Sequence, residues 1–337
     1  MKKTIIFILY VIGIMIIFSG CNLNPLNKDQ FDLRDTVTIK VGEKLYENKD
    51  LWVRLDSITK DTRCPVGWQC YVAGRVEAKF TVGFKDTSVT FYLSPDTLYL
   101  TPDSISIIAG SVFFAFSQVP GGSYYWLYHI GTRPERESNV EIPQSSYEVD
   151  FVLEQGDMVW KPNIYLYPNV QTKMDLSLNF PQGGEVIKSI PAFPDKWENI
   201  KVKPSGLIDN EYDYLFYEAA LPDRWQVDEG WSVKKQNLRT FFQINLTEYG
   251  FNKREIADFT DYWIPRLNTS PYYAIYPQHT SKIDEVVELN ISKNPKSILR
   301  LFYVIKEIPE HEDMLMPMIP EFERKGFTVT EWGVILK

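Results

Sequence analysis

The chain has 337 residues, 44% of them hydrophobic and 24% charged, with a net charge of −8 at pH 7. This globular balance lets each domain bury a core, and the length exceeds one typical domain, so two are expected. The acidic excess argues against nucleic acid as a partner, because phosphate binding needs clustered Lys and Arg. It also argues against electrostatic adhesion to anionic lipid.

The chain opens MKKTIIFILYVIGIMIIFSGC. Lys2 and Lys3 precede an uncharged run from Thr4 to Phe18, and the small residues Ser19 and Gly20 come just before Cys21. That order is the pattern of a secretory signal peptide. The ending Phe18-Ser19-Gly20-Cys21 resembles the lipobox of bacterial lipoproteins, with Phe18 where that family usually carries an aliphatic residue. The resemblance implies removal of residues 1–20, acylation of Cys21, and a chain held at the cell envelope, outside the cytoplasm. Several acyl chains anchor a protein stably where one holds it marginally. The alternative is an uncleaved signal anchor, for which the run is short and weakened by Gly13 and Gly20.

Three cysteines leave one odd in an exported chain. With Cys21 assigned to lipid, Cys64 and Cys70 remain, and outside the cytoplasm such a pair reads as a disulfide. Zinc is the rival, but it wants four ligands and no histidine lies nearby. Residues 21–30 read as a lipidated tether, polar and without periodicity.

From Phe31 to about residue 155 the pattern is strands. Thr36–Val41, Leu51–Leu55, Gly74–Val82, Ser88–Leu93, Ser111–Val119, Tyr124–Gly131 and Tyr147–Leu153 carry strand patterns. Breakers such as Thr101-Pro102-Asp103 and Pro120-Gly121-Gly122 separate them. A mainly β domain is expected, an antiparallel sandwich or barrel. The segment Asp61-Thr62-Arg63-Cys64-Pro65 through Cys70-Tyr71-Val72-Ala73-Gly74 resembles a motif of exported bacterial lipoproteins of unknown function. Physically it is a stapled loop between strands, with Arg63 expected to pair with Asp56 or Asp61. Trp68 sits at its tip, as a ligand platform or folded back over the disulfide.

Gln155-Gly156-Asp157 reads as the domain boundary, and residues 156–337 as an α+β domain. Lys161–Pro168 opens it with a short apolar strand between two prolines. Lys173–Phe180, Trp197–Val202 and Tyr212–Ala220 follow as strands. Asn237–Tyr249 carries a helical stripe ended by Gly250, and Asn252-Lys253-Arg254-Glu255 is a capping box opening a second helix to about Trp263. This αα-hairpin must cover one face of a mostly antiparallel sheet. Tyr272–Tyr276, Val286–Ile291, Ile298–Lys306 and Phe327–Ile335 complete the strands, with a Met-rich acidic loop from Pro309 to Glu321. Lys161–Pro168, Tyr214–Glu218, Asp258–Trp263 with Pro265, and Glu331-Trp332-Gly333 together resemble an uncharacterised bacterial domain. The departures are Tyr217, where that family tends to have Trp, and Val334, where it has Gly.

No G-x-S-x-G elbow or free reactive cysteine is expected, and His129, His279 and His311 lie in no metal-type spacing. No metal or other cofactor is therefore expected. Asp209, Glu211 and Asp213 alternate in a polar turn without the glycine of a calcium loop, so a solvated turn is the simpler reading. Paired carboxylates are the remaining catalytic option. Glu218 and Glu331, joined by Asp213 or Asp258, would act as acid and base of an envelope hydrolase on glycans if they flanked an aromatic cleft. The plainer reading has them bonded to backbone or to Arg224 or Arg300. Trp332, beside Glu331, is the second aromatic candidate for ligand binding. The leading expectation is a non-catalytic, lipid-anchored binding or assembly module whose partner is an envelope protein or a glycan.

Overall fold

The computed structural model describes residues 29–72, 74–95, 111–116, 123–138 and 140–337. The signal segment, Cys21 and most of the tether lie outside these residues, as do the breakers at 101–103 and 120–122 and the strand end at 117–119. Asp29 and Gln30, assigned to the tether, belong to the fold instead. The Tyr46 amide donates to the Asp29 carbonyl (2.8 Å), and the Phe31 amide returns a bond to Tyr46 (3.0 Å).

The alternating first half forms β1 (Val37–Lys40), β2 (Lys44–Tyr46), β3 (Leu51–Asp61), β4 (Val76–Phe84), β5 (Thr87–Leu93), β6 (Ser111–Phe116), β7 (Ser123–Arg133) and β8 (Glu148–Tyr167). β2 to β5 make an antiparallel sheet in chain order. It packs on β1, β6, β7 and the start of β8, which belong to the second, larger sheet. Residues of one parity, such as Val53, Leu55, Phe80 and Val82, meet Leu127, Val149 and Phe151 between the sheets, all fully buried. This is the expected sandwich: period-two side chains give each sheet one apolar face, and two such faces close on each other.

The second half adds β9 (Thr172–Asn179), β10 (Glu185–Ile190), β11 (Trp197–Val202), β12 (Leu215–Pro222) and β13 (Trp231–Lys234). After these come α1 (Leu238–Tyr249), α2 (Lys253–Trp263), β14 (Tyr272–His279), α3 (Thr280–Asp284), β15 (Glu288–Ile291), β16 (Ser297–Ile308) and β17 (Thr328–Leu336). The large sheet runs β10-β12-β8-β17-β16-β14-β13, and all its pairs are antiparallel except β16 with β17. The small sheet β11-β9-β15 and α3 cover one face through Leu176, Val202, Ile283 and Tyr217. The helical hairpin covers the other through Phe242, Phe259, Tyr303 and Trp332. This half is therefore α+β. The helix ends follow the sequence closely: Gly250 caps α1 at φ 100°, and Asn252 and Glu255 exchange both bonds of the capping box at the start of α2. No helix among the described residues is long and apolar enough to cross a membrane.

The domain boundary needs correction. Hydrophobic clusters do divide near residue 155, but the backbone there is no linker: β8 runs unbroken for 20 residues and is shared by both halves. Gly156 is required by close approach. A Cβ on it would meet the Trp126 ring at 1.8 Å and the Leu221 carbonyl at 2.8 Å. Ion pairs reinforce the junction, with buried Glu154 held by Arg224 and Lys337 bridging Asp157 and Asp223 at 2.7 and 2.8 Å.

Pro162 also lies inside β8 rather than fencing a new strand. A central strand rejects proline because its ladder bond is lost, except at a bulge. Here the register slips on both neighbours, between Trp332 and Val334 on β17 and between Phe216 and Ala219 on β12. Lys161 carries the bulge in left-handed conformation, φ 56°. The extra residue switches parity: Val159 faces the small-sheet core before it, Ile164 and Leu166 after it.

Candidate functional site

Glu331 is fully buried in β17. Arg300 Nε donates to its Oε2 at 2.5 Å and the Tyr217 hydroxyl to its Oε1 at 2.8 Å. Arg300, itself 1% exposed, also donates to Asp284 and to the Val287 carbonyl (2.7 Å). Burial, then the adjacent Glu331 charge, holds the Tyr217 hydroxyl protonated far above its ordinary range. Neighbours in a strand point to opposite faces. Tyr217 and Glu331 meet on the small-sheet face, so Glu218 projects from the helix-side face. The paired-carboxylate expectation is corrected by this geometry: the sheet itself separates the two groups, and Glu331 is occupied by Arg300. Trp332 is likewise fully buried, its ring edge-on to Phe259 at 5.1 Å, and offers no surface to a ligand.

Glu218 does line an aromatic cleft. It opens on the helix-side face near the β10 edge, with an empty volume of about 850 Å³ that includes its open mouth. Lys161, Tyr214, Phe216 and Tyr262 form its inner wall, and Lys188 and Ile190 its β10 side. The bulge sends the Lys161 side chain here. Its Nζ lies 4.3 Å from the centroid of the Phe216 ring, 4.6 Å from that of Tyr214 and 5.6 Å from that of Tyr262, and donates to the Tyr214 hydroxyl at 3.2 Å. No carboxylate lies within 4.0 Å of it among the described residues. Burial lowers the Lys161 amine to about 8, against the pull of Glu218 and Asp258 toward the charged form. Burial also raises the Glu218 carboxyl, opposed by Lys188 and Lys161. Lys188 stands directly across the strand pair from Glu218. An amine and a carboxyl whose pKa values are pushed toward each other in one cleft suit proton exchange with a bound ligand.

Asp213 and Glu211 also line the cleft beside Glu218, and the other named carboxylates have structural partners. Asp213 pairs with Arg254 at 2.5 Å, and Asp258 accepts from the Tyr165 hydroxyl at 2.9 Å. In the acidic turn, Asp209 accepts from the Lys201 amide at 2.9 Å. No group of three or more His, Cys, Asp or Glu is arranged to hold a metal among the described residues. His129, His279 and His311 lie apart, beside Thr132 (2.7 Å), Tyr249 (2.9 Å) and Ser232 (3.0 Å) respectively.

Cys64 and Cys70 are disulfide-bonded, with Cα atoms 5.9 Å apart. Inside the loop, Gly67 at φ 78° makes the turn that lets the Trp68 amide donate to the Pro65 carbonyl at 3.0 Å. Arg63 fixes its base, bonding Asp61 (2.6 and 2.9 Å) and the carbonyls of Thr132 and Pro134. Burial works to raise the Asp61 carboxyl, but hydrogen bonds from Arg63 and Tyr147 outweigh it and hold it low. Trp68 is 64% exposed, so it stands at the tip and does not fold back over the disulfide.

No family model, curated protein or solved structure matches this chain. The family resemblances therefore rest on the quoted motifs alone, and function is argued from the site. Sequence reasoning singled out Glu218 but missed Lys161, Lys188, Phe216 and Tyr262 as its companions. One signal was present. Lys161 is the one charged residue between Val159 and Leu166, in a stretch otherwise mostly apolar, and it stands directly before a proline.

Proposed function

We propose that this chain is a lipid-anchored cell-envelope protein that acts as a non-catalytic binding module, with the Lys161–Glu218 cleft as its ligand site. The observation that carries the reading is the cleft itself, a concave pocket with aromatic walls and a few convergent polar groups at a size suited to a small ligand. Ring faces at Tyr214, Phe216 and Tyr262 suit the apolar face of a sugar, and Glu218 and Lys188 suit its hydroxyls. A saccharide of the envelope is the ligand class these groups favour. Supporting the location are the lipobox-like start and a Cys64–Cys70 disulfide, which persists outside the cytoplasm.

Two measurements test it. Detergent partitioning and mass analysis of the mature chain should find an acylated Cys21 at its start, and Cys21→Ala should release the protein from the membrane. Saccharides from the envelope should shift the ring resonances of Tyr214 and Tyr262, and Phe216→Ala should abolish those shifts. Shifts that persist unchanged in Phe216→Ala would place the binding elsewhere.

A further inference from the structure

Lys161 breaks two rules at one position. Its backbone is left-handed at φ 56° although it carries a Cβ, and its half-buried amine has no carboxylate within 4.0 Å among the described residues. Both features cost stability. The bulge itself does not call for lysine: Asn or Gly would seat it with less strain and bury no amine. Rule-breaking that the fold does not require concentrates at functional sites.

We infer that Lys161 is a nucleophilic amine that condenses with the carbonyl group of a small aldehyde or ketone held in the cleft, Glu218 carrying the proton. This names a chemistry for the binding site proposed above and rests on that cleft receiving a ligand. In the step, the neutral Nζ lone pair adds to the carbonyl carbon, forming a C–N bond while the carbonyl oxygen takes a proton from the Glu218 carboxyl. Nitrogen then returns a proton to the Glu218 carboxylate. Glu218 donates again to the hydroxyl, the C–O bond breaks, water leaves, and a protonated imine remains. The sum is neutral amine, carbonyl and Glu218 carboxyl giving iminium, Glu218 carboxylate and water, and no oxidant or reductant enters. A reducing sugar in its open-chain form carries such a carbonyl.

The surroundings favour this over simple anion binding. An anion site gains from a fully charged lysine, whereas burial keeps this amine near 8 and partly neutral at neutral pH. The ring faces of Tyr214 and Phe216 accommodate both the cation before condensation and the iminium after it.

The test treats the full chain in detergent micelles with glycolaldehyde and cyanoborohydride at neutral pH, then measures labelling at each lysine by peptide mass spectrometry. Cyanoborohydride delivers hydride to the iminium carbon and fixes it as a secondary amine. Lys161 should label about tenfold faster than exposed Lys253 and Lys293. Glu218→Gln removes both the proton carrier and a charge that favours the protonated amine, so rates are taken per neutral amine from a pH series. On that scale it should slow Lys161 severalfold and leave Lys253 unchanged. Labelling at Lys161 no faster than at Lys253, or a Lys161 rate per neutral amine unaffected by Glu218→Gln, overturns the inference. The failures are separable. Slow labelling in a chain that still binds saccharide sinks the condensation alone. Fast labelling in a chain that binds no saccharide upholds it and removes the ligand class proposed above.

Discussion

Glu218 and Glu331 stand on opposite faces of one sheet, Glu218 at the aromatic cleft and Glu331 bonded to the Tyr217 hydroxyl and Arg300 in the opposite core. Paired glycosidase carboxylates lie about 5–10 Å apart across a common cleft, with room for sugar or water between them. A sheet between the two groups forbids that arrangement whatever their separation. The two residues therefore answer differently to the same substitution.

Glu331→Gln leaves the Arg300 guanidinium buried beside a neutral partner. Removing one partner of a buried pair costs about 3–5 kcal/mol, and the urea midpoint should fall accordingly. Glu218→Gln touches a half-buried, cleft-lining carboxyl and should change stability by about 0.5 kcal/mol or less, while weakening cleft ligands. Equal losses of stability in both variants would contradict the two-face assignment.

Gly156 gives a second prediction. Gly156→Ala forces a methyl against Trp126 and the Leu221 carbonyl, so the shared strand must bend or the indole must move. Overpacking of this kind costs about 1–3 kcal/mol, read as a lower midpoint in chemical denaturation. A glycine at a loosely packed boundary would tolerate the change, so an unaltered midpoint would contradict the close packing around Gly156.

These positions show what the sequence makes legible. The capping box at Asn252 and Glu255 and the αL glycine at Gly250 were readable because each is completed within a few residues. Strand alternation was readable for the same reason. Gly156 and Pro162 misled because their local meaning, domain boundary and strand end, was overridden by partners elsewhere in the chain: Trp126 for the first, the slipped registers of β12 and β17 for the second. The faces of Glu218 and Glu331 depended on how β8, β12 and β17 register, and Lys161 gained its surroundings only through a bulge between them. Pairing between strands fifty or more residues apart leaves no mark on a short stretch of chain.

The stapled loop supplies a third prediction. Closing so short a ring stabilises by about 2 kcal/mol, mainly through the unfolded chain. Reducing Cys64–Cys70 should lower the denaturation midpoint by that amount and loosen amide protection around Trp68. The sandwich should stay folded, because Arg63 still binds Asp61 and the carbonyls of Thr132 and Pro134. Free thiols at both positions in unreduced protein would remove the staple.

The last prediction concerns pH. Lys161 in the folded chain loses its proton near 8, against an ordinary 10.5. Between those values the unfolded state binds more protons than the native state, so this residue makes stability rise with pH across the window. Below 8 the full cost of burying the charged amine is present in the native state, and above 10.5 it is gone. Tyrosines such as Tyr128 and Tyr249, which burial raises above their ordinary value, lose protons more readily in the unfolded chain and so lower stability toward the top of this range. Comparison with Lys161→Asn cancels them, because asparagine seats the left-handed bulge without an amine. At pH 7 the variant should be the more stable protein, and by pH 10 its advantage should shrink. Urea midpoints of the two chains at both pH values decide the matter: a constant difference means the Lys161 amine is not strained by burial, and the reactive-amine reading loses its physical basis.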